Sequence, residues 1–307
     1  MTQPLSVEVI INAGSGADDK EEMRSRLAEI FSASSLTANI SLAHTGDEIS
    51  SLARRAARSE AQLVVAGGGD GTVNALASEL VGTDKSLGVL PLGTLNHFAK
   101  DLHIPLDIEA AAATIIAGHS VKVDVAEVNG KIFINNSSLG LYPSIVRERE
   151  KQQRLGSGKW PAFLWAGIAV LRRYPFLDVK LSVDGDELTR RTPFVFIGNN
   201  EYEMESFNVG ARSCLNAGKL SLYITNRTGR LGLIRLAWHA LFGGLRNEKE
   251  FLALCAQEIW IATKHHRLRV AMDGEVTHMK PPLHYRVRPL ALRVIVPREE
   301  ANENQGR

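Results

Sequence analysis

The chain is poor in cysteine, in aromatic residues and in long apolar runs. Two cysteines in 307 residues offer neither a disulfide framework nor a paired zinc site, so we expect both thiols to be buried in a reducing compartment. The longest apolar candidate, residues 160–171, falls short of the roughly 20 residues that a spanning helix needs. No secretory signal, repeat or low-complexity tract is visible. We therefore expect a cytoplasmic protein without a membrane span.

The net charge is also small, but it is unevenly distributed. Residues 1–125 contain 9 Lys and Arg against 16 Asp and Glu, whereas residues 126–307 contain 27 against 18. A basic half can attract nucleic acid or an anionic membrane surface, although charge alone favours an ordinary soluble surface. Because no recognised DNA- or RNA-binding motif is present, we expect no nucleic-acid partner.

Strand-like and helix-like segments alternate through the first 125 residues. Apolar, β-branched runs occur at residues 6–12, 39–43, 62–66 and 86–91. Helical periodicity follows them at residues 18–32, 47–59, 72–80, 95–102 and 108–117. This pattern predicts a doubly wound α/β domain over residues 1–125, with a parallel sheet and a ligand crevice beyond the carboxyl ends of its strands.

The pattern changes after residue 125. Strand-like runs now follow one another, at residues 126–128, 131–135, 179–183, 194–198, 219–224, 259–263, 267–272 and 290–296. Asn129-Gly130 and Asp184-Gly185 are hairpin signals, and two stretches, 142–174 and 230–256, have helical character. We predict a mainly antiparallel, β-rich domain over residues 126–297, whose last strand is a candidate to pack back on the first domain. The tail, 298–307, is expected to be flexible.

The most informative segment is a glycine turn between an apolar strand and a helix. Gly67, Gly68, Gly69 and Gly71 surround Asp70 there. A turn without side chains lets backbone N–H groups and a helix N-terminus bind phosphate. A carboxylate without a partner beside phosphate is unfavourable unless Mg²⁺ intervenes, so Asp70 predicts a magnesium nucleotide. The structural alternative is a tight turn, which needs one or two glycines and no acid.

Two further loops should reach the same crevice. The loop after the first strand contains Asn12, Gly14 and Ser15, and the loop after residue 91 contains Thr94 and Asn96. Each offers small residues with hydroxyl or amide groups. Neither matches a Walker P-loop, and the glycine turn departs from Gly-x-Gly-x-x-Gly. Together the three loops predict a nucleotide site.

In their order along the chain, these segments resemble the diacylglycerol kinase catalytic family, which includes sphingosine kinases and bacterial lipid kinases. The resemblance runs from about Val7 to Pro297 and rests on Thr45-Gly46, Gly67 to Asn74, Pro91 to Asn96, Val123-Asp124 and Asp273-Gly274-Glu275. It implies an NAD kinase-like nucleotide domain and a β-sandwich-like lipid domain, with ATP bound in the cleft between them. It also implies a lipid kinase that uses ATP and Mg²⁺ to phosphorylate a hydroxyl of a membrane lipid such as diacylglycerol.

The resemblance assigns roles to individual residues. The nucleotide contacts are expected at Thr45, Gly67 to Thr72 and Thr94, and Glu275 is included in the cofactor-binding set. Asp70 and Asp124 resemble members of a network that holds Mg²⁺ through water, and Asp70 is also expected to be catalytic. Asp273 resembles the general base that accepts the proton of the lipid hydroxyl. The structural alternatives are a hairpin turn for Asp273 and a helix cap or surface acid for Asp124.

The chain departs from the family pattern at two places. His97 replaces an acid that many relatives carry in the metal network. Asn216-Ala217 replaces a pair of acids that relatives carry before Gly-x-Leu and that is associated with a second, structural Mg²⁺. Because fewer charged oxygens lower the affinity for a hard cation, we predict that this structural metal is weak or absent.

Cations also precede Trp- and Phe-containing runs, at residues 147–165 and 227–242. This arrangement is typical of helices that dock on an anionic membrane, and equally of a second core with a cationic surface. We expect a peripheral protein at the inner membrane surface. The alternatives are a kinase of a soluble hydroxyl substrate, with an NAD kinase-like reaction, and a non-catalytic lipid-binding protein. The sequence leaves open which lipid is the acceptor and whether the protein is a homodimer.

Overall fold

The computed structural model describes residues 5–14, 20–140, 176–200, 202–205, 208–212, 215–225 and 251–298. The predicted helical segment 142–174, most of the second one, the cation and aromatic runs at 147–165 and 227–242, and nearly all of the predicted tail lie outside these residues. Within the described part of the chain, no helix combines the length and the apolar character that crossing a bilayer requires.

The chain divides into two compact units. The first comprises Met1–Val123 and Leu290–Arg307, and the second comprises Asp124–Pro289. The first division falls two residues before the boundary predicted from the sequence. Two strands, β5 (Ser120–Val128) and β18 (Leu283–Ile295), contribute residues to both units.

The first unit alternates strands and helices. Its elements are β1 (Leu5–Asn12), α1 (Lys20–Ser32), β2 (Leu36–Ala43), α2 (Gly46–Arg58), β3 (Leu63–Gly68), α3 (Asp70–Leu80), β4 (Ser86–Pro91), α4 (His97–Asp101) and α5 (Ile108–Ala117). The strands are parallel in the order β2-β1-β3-β4, and the end of β18 pairs in parallel with β4 through Arg293 and Val294. The predicted α/β domain is confirmed.

The order of these strands places helices on both faces of the sheet. The chain moves from β1 to β2 in one direction and from β2 to β3 in the other, so right-handed crossovers put α1 on one face and α2 on the opposite face. In agreement, α1 packs with α5, and α2 packs with α3. The reversal makes the carboxyl ends of β1 and β3 the topological switch point, which is where open α/β sheets bind ligands.

The second unit is built from β-strands in its described part. They are β5 (Ser120–Val128), β6 (Lys131–Phe133), β7 (Asn136–Gly140), β8 (Leu177–Val183), β9 (Asp186–Thr192), β10 (Phe194–Asn199), β11 (Tyr202–Glu205), β12 (Asn208–Arg212), β13 (Leu220–Thr225), β14 (Phe251–Ala256), β15 (Glu258–Thr263), β16 (Leu268–Met272), β17 (Glu275–Met279) and β18 (Leu283–Ile295).

Two antiparallel sheets share the core of this unit. One has the order β14-β13-β10-β7-β16-β17, and the other consists of the first half of β18 with β15, β8 and β9. Alternate residues of both sheets, such as Val195 and Ile197 of β10 and Ile259 and Ile261 of β15, are fully buried in one apolar cluster. The predicted β-sandwich-like architecture is confirmed.

Two expectations for this unit were wrong. Residues 251–256, assigned to the second helical stretch, form strand β14, which pairs with β13. Their sequence, Phe-Leu-Ala-Leu-Cys-Ala, alternates partly buried leucines with exposed residues, and this period of two favours a strand. Cys255 lies on the exposed side of β14, so it is not the buried thiol we expected. Cys214 lies outside the described residues.

Candidate functional site

The glycine turn closes tightly at the carboxyl end of β3. A Cβ atom on Gly68 would collide with the side chain of Thr72, and one on Gly93, in the loop after β4, would collide with the Cα of Gly69. The two loops therefore lie backbone against backbone. Packing requires glycine at positions 68 and 93, so the structural alternative explains part of the motif.

Asp70 is the first residue of α3, and its carboxylate reaches the adjacent loop. Oδ2 accepts a hydrogen bond from the backbone N–H of His97 (3.2 Å), and Oδ1 accepts one from that of Phe98 (3.1 Å). The acid thus has partners, contrary to the premise of the sequence argument, and it caps the start of α4. Each oxygen has about two acceptor positions, so these bonds are chemically compatible with a hydrated cation on the same carboxylate.

The loop after β1 is tied to the glycine turn through Asn12. Its Nδ2 donates to Oγ1 of Thr72 (3.2 Å), and its Oδ1 accepts from the backbone N–H of Gly14 (2.9 Å). The structure therefore brings Asn12, Gly14 and the glycine turn together at the switch point, as the three-loop argument expected. Ser15 lies outside the described residues.

Asn96 shapes the loop after β4. It is buried, with a left-handed backbone at φ 49°. Its Oδ1 accepts from the N–H of Gly93 (3.0 Å), and its Nδ2 donates to the carbonyl of the same residue (2.8 Å). The amide is engaged in holding the loop closed, whereas Thr94 is exposed and lies at its tip.

Thr45 serves as the N-cap of α2. Its hydroxyl accepts from the N–H of Glu48 (3.2 Å), and the Glu48 carboxylate accepts from the N–H of His44 (2.8 Å). This reciprocal arrangement resembles a capping box, so a local structural role accounts for a threonine followed three residues later by an acid. Thr45 is exposed, which leaves its side chain accessible at the carboxyl edge of the sheet.

In the second unit, Asp273 and Gly274 form the two-residue turn of the hairpin β16–β17, with φ 45° and 88°. The carboxylate of Asp273 also binds the segment 134–136, which leads into β7. Its Oδ2 accepts from the N–H of Ile134 (2.8 Å), and its Oδ1 accepts from those of Asn135 (2.9 Å) and Asn136 (3.0 Å). Asp273 therefore is a hairpin-turn residue, as the structural alternative expected. Its carboxylate also makes three hydrogen bonds that a turn alone does not require.

Asp124 is held by the segment 215–218. It is 1% exposed, its Oδ2 accepts from the N–H of Gly218 (2.6 Å), and its own N–H donates to the carbonyl of Leu215 (2.7 Å). This segment carries Asn216 and Ala217 in place of acids, and Asn216 is exposed. The weakness of a structural metal site here stays a prediction.

Potential metal-binding side chains do not cluster in the described part of the chain. It contains no group of three or more His, Cys, Asp and Glu residues arranged to hold a metal ion. Mg²⁺ usually keeps several waters and takes one or two carboxylates plus substrate phosphates. The described residues therefore do not form a preassembled metal cage, and the Asp70 carboxylate is chemically suited to be one ligand of a cation that phosphate and water largely hold.

Sequence reasoning gave no role to Asn199. Asn199 is fully buried at the end of β10, and its Nδ2 donates to the carbonyls of Asp124 (3.0 Å) and Ile134 (3.0 Å). Asp124 and Asp273 are thereby connected within the second unit. Glu275, the first residue of β17, is exposed and pairs with Met272 across the turn from Asp273.

A buried hydroxyl pair lies beside the same segment. Oη of Tyr285 and Oγ of Ser137 are 3.1 Å apart, and both residues are 0% exposed. Burial raises the pKa of the Tyr285 phenol well above its ordinary value, and the hydrogen bond with Ser137 opposes this shift. The phenol therefore remains protonated and anchors the start of β7 to the core.

Comparisons with known proteins cover both units. The model of the diacylglycerol kinase catalytic domain matches residues 6–128, and that of the YegS C-terminal NAD kinase beta sandwich-like domain matches residues 140–296. A diacylglycerol kinase of Bacillus subtilis (strain 168) is 26% identical over 299 residues, which are 96% of this chain and 97% of the relative. A diacylglycerol kinase of Staphylococcus aureus (strain MRSA252) is 31% identical over 193 residues, or 62% of this chain and 61% of the relative.

Solved structures agree on the fold. A crystal structure of a diacylglycerol kinase from Bacillus anthracis str. Sterne matches with a TM-score of 0.70 and 23% identity, over 97% of this chain and 99% of that chain. A second structure from the same organism matches with a TM-score of 0.76 at the same identity and coverage. Because the second family model alone spans half of the sequence, and the first accounts for the glycine turn, the chain belongs to the diacylglycerol kinase catalytic-domain family, a kinase family that acts on lipids.

Proposed function

We propose that this protein is an ATP-dependent kinase that transfers the γ-phosphoryl group to a hydroxyl of a membrane lipid, such as diacylglycerol. The observation that carries the proposal is the glycine turn at the switch point, where Asp70 starts α3 and bonds to the adjacent loop. Backbone without side chains at a helix N-terminus favours phosphate. Family membership supports a lipid acceptor.

Each unit contributes part of the proposed chemistry. The phosphates of ATP are assigned to the backbone of Gly67 to Gly71, with Asn12 and Thr94 from the neighbouring loops. Asp70 and Asp124 would hold Mg²⁺ through water, since hard cations prefer carboxylate oxygens. When bound, the cation neutralises charge on the phosphates.

Asp273 is proposed as the general base. As the acceptor oxygen forms a bond to the γ-phosphorus, the bond between that phosphorus and the bridging oxygen of ADP breaks, and the hydroxyl proton passes to the Asp273 carboxylate. The three backbone N–H groups on this carboxylate fix its orientation, which supports a role that depends on geometry.

The test is transfer of labelled phosphate from ATP to lipid in detergent micelles, with NAD as the competing acceptor. We expect labelled phospholipid from the wild type and a loss of roughly 10- to 100-fold in Asp70→Asn, because a ligand to the hydrated cation is removed. Asp107→Asn is the matched control, since Asp107 also caps a helix through its carboxylate, bonded to the N–H of Ala110 (2.9 Å). It should retain full activity.

Other outcomes identify the alternatives. Label on NAD and none on lipid would favour a kinase of a soluble substrate. Lipid binding without any transfer would favour a non-catalytic lipid-binding protein. Equal activity in Asp70→Asn and the wild type would overturn the assignment of Asp70.

A lipid acceptor requires access to a bilayer, and we propose peripheral contact of this protein with the anionic inner surface of the membrane. The described surface offers a cluster of basic residues at the base of the β16–β17 hairpin, which we define as residues 264–267, Arg269, His278 and Lys280. Arg269 lies directly opposite His278, and no acidic residue occurs at positions 264–272 or 276–284. Positive charge on Lys264, Arg267 and Lys280 with no acid in the adjoining sequence attracts an anionic bilayer surface.

Sedimentation with vesicles tests this contact. We expect binding to vesicles that contain phosphatidylglycerol at low salt, weaker binding at high salt and weaker binding of the double variant Arg267→Gln/Lys280→Gln. The control, Lys180→Gln/Arg190→Gln, removes two cations from β8 and β9. Equal binding of both double variants would exclude the hairpin base as the docking surface.

A further inference from the structure

We infer that Asn199 is the residue that positions the two functional acids of the second unit, Asp124 and Asp273, for phosphoryl transfer. This inference rests on the proposed function. Asn199 ends β10 and is 0% exposed. Its side-chain Nδ2 donates to the carbonyls of Asp124 and Ile134, and its backbone N–H donates to the carbonyl of Asn135. The first carbonyl belongs to one of the two acids, and the other two belong to the segment that binds the carboxylate of Asp273.

The connection to Asp273 passes through two consecutive peptide units. Nδ2 of Asn199 donates to the carbonyl of Ile134 (3.0 Å), and that carbonyl shares a peptide plane with the N–H of Asn135, which donates to Oδ1 of Asp273 (2.9 Å). The backbone N–H of Asn199 donates to the carbonyl of Asn135 (2.9 Å). That carbonyl shares a plane with the N–H of Asn136, which donates to the same Oδ1 (3.0 Å).

Because peptide units are planar and stiff, fixing a carbonyl fixes the N–H at the other end of the unit. Asn199 therefore orients both donors that hold Oδ1 of Asp273. Hydrogen bonds arranged in such chains also polarise one another, which strengthens the hold on the carboxylate. A displacement of Asn199 is transmitted to Asp273 without any direct contact between the two side chains.

The connection to Asp124 uses the second hydrogen of the same amide group. Nδ2 donates to the carbonyl of Asp124 (3.0 Å), while the carboxylate of Asp124 is fixed by the N–H of Gly218 (2.6 Å). Asparagine suits this position because its NH₂ group has two hydrogens and can serve two carbonyls. Serine or threonine has one such hydrogen, and leucine has none.

The next residue provides a matched control. Asn200 is also 0% exposed, and its backbone is held by the carbonyl of Lys219 (3.0 Å) and the hydroxyl of Ser221 (2.7 Å). Its amide atoms make no hydrogen bond in the described part of the chain. Its backbone φ of 69° is readily adopted by glycine, so Asn200→Gly removes a neighbouring buried amide without strain.

The experiment compares Asn199→Ala and Asn199→Asp with Asn200→Gly, with the folded fraction measured for each. For Asn199→Ala we expect kcat per folded molecule to fall about 10-fold or more, because small misplacements of catalytic groups are costly, with little change in the KM for ATP. Asn199→Asp, which replaces the donor by an acceptor, should behave alike, whereas Asn200→Gly should retain the wild-type kcat. A residue that only stabilised the fold would change the folded fraction and leave kcat per folded molecule unchanged.

Two further readouts separate positioning from stability. In the Asp273→Asn background, Asn199→Ala should cause a smaller loss of kcat than it causes in the wild type, because the part of its effect that passes through Asp273 is already lost. The NMR amide signals of Asn135 and Asn136 should shift in Asn199→Ala and stay in place in Asn200→Gly. Additive losses or unshifted signals would overturn the inference. An inactive wild type would instead overturn the proposed function, and the inference about transfer with it.

Discussion

The hairpin turns at Asp184-Gly185 and Asp273-Gly274 use the same local structure in two different surroundings. Both pairs have positive φ, at 47° and 96° in the first and 45° and 88° in the second. In both, the aspartate N–H donates to a nearby carbonyl, that of Glu258 (3.1 Å) or Asn136 (2.9 Å). Both carboxylates then accept backbone N–H groups of the same nearby segment.

The surroundings of the two carboxylates differ. Asp184 is exposed and binds the N–H groups of Gln257 and Glu258, where the chain passes from β14 into β15. Asp273 is half-buried and binds three N–H groups of a segment that Asn199 holds in turn. The Asp-Gly motif therefore has a structural role of its own in this fold. What distinguishes Asp273 is that the segment bound by its carboxylate is held in turn by Asn199.

Asn129-Gly130 is a third turn of this kind, and it carries no charge. Its φ angles are 47° and 81°, and Oδ1 of Asn129 accepts the N–H of His284 (2.8 Å). A neutral side chain thus suffices to attach such a turn to its neighbour. A charge is needed at position 273 only if that carboxylate does more than attach the turn.

The largest expected effect comes from removing the charge at each aspartate. Asp273→Asn should lower the kcat for lipid phosphorylation about 100-fold, the usual order for loss of a general base, whereas Asp184→Asn should leave it unchanged. Kinetics on both variants, with thermal melts to verify folding, measure the contrast. If the two variants have equal kcat, Asp273 is a turn residue and the base lies elsewhere.

An intermediate effect is expected from the two turn glycines. Gly274 and Gly185 have φ of 88° and 96°, and a Cβ at either would meet no atom within 4 Å, so alanine adds only backbone strain. Each substitution should reduce the free energy of unfolding by about 1 kcal/mol. Urea titration measures this loss, and kinetics should show that only Gly274→Ala also lowers kcat. An equal kcat in Gly185→Ala and Gly274→Ala would indicate that the position of Asp273 does not matter for catalysis.

The smallest effect is expected at the neutral turn. Asn129→Asp keeps the acceptor for His284 and loses the donations from Nδ2 to the carbonyls of Lys280 (3.4 Å) and Pro282 (3.4 Å). Because these bonds are long and exposed, the free energy of unfolding should fall by about 1 kcal/mol or less, with kcat unchanged. A larger decrease in the free energy of unfolding, measured by urea titration, would mean that a charge destabilises such turns. The difference between the charged and the neutral turns would then need another explanation.

Local pattern was sufficient to predict most of the first unit. The limits of β4 and α5 agree with the sequence at both ends, because a short apolar strand and a capped, alanine-rich helix are specified by their own residues. Strand β7 was missed, because Asn-Ser-Ser-Leu-Gly has little strand propensity and is stabilised by pairing with β10 and β16. Strand β18 begins seven residues before the segment predicted at 290–296, where its pairing with β15 holds it extended.

The candidate functional site also contains residues that local sequence reveals and residues that only the folded structure reveals. The glycine turn and Asp70 are visible in the sequence because phosphate-binding turns need contiguous residues. The role of Asn199 is not, since its bonds join residues 65 and 75 positions away and leave no periodic signal. Asn12 likewise reaches Thr72 across 60 residues.

The first unit is discontinuous in sequence, because the end of β18 returns to pair with β4. A fragment of residues 1–123 would leave the outer edge of β4 without that strand, and an unpaired edge promotes aggregation. Covalently joining residues 290–298 to the end of such a fragment would restore the missing partner. If the two units are produced separately, the chain should therefore be divided at two places, after Val123 and before Leu290.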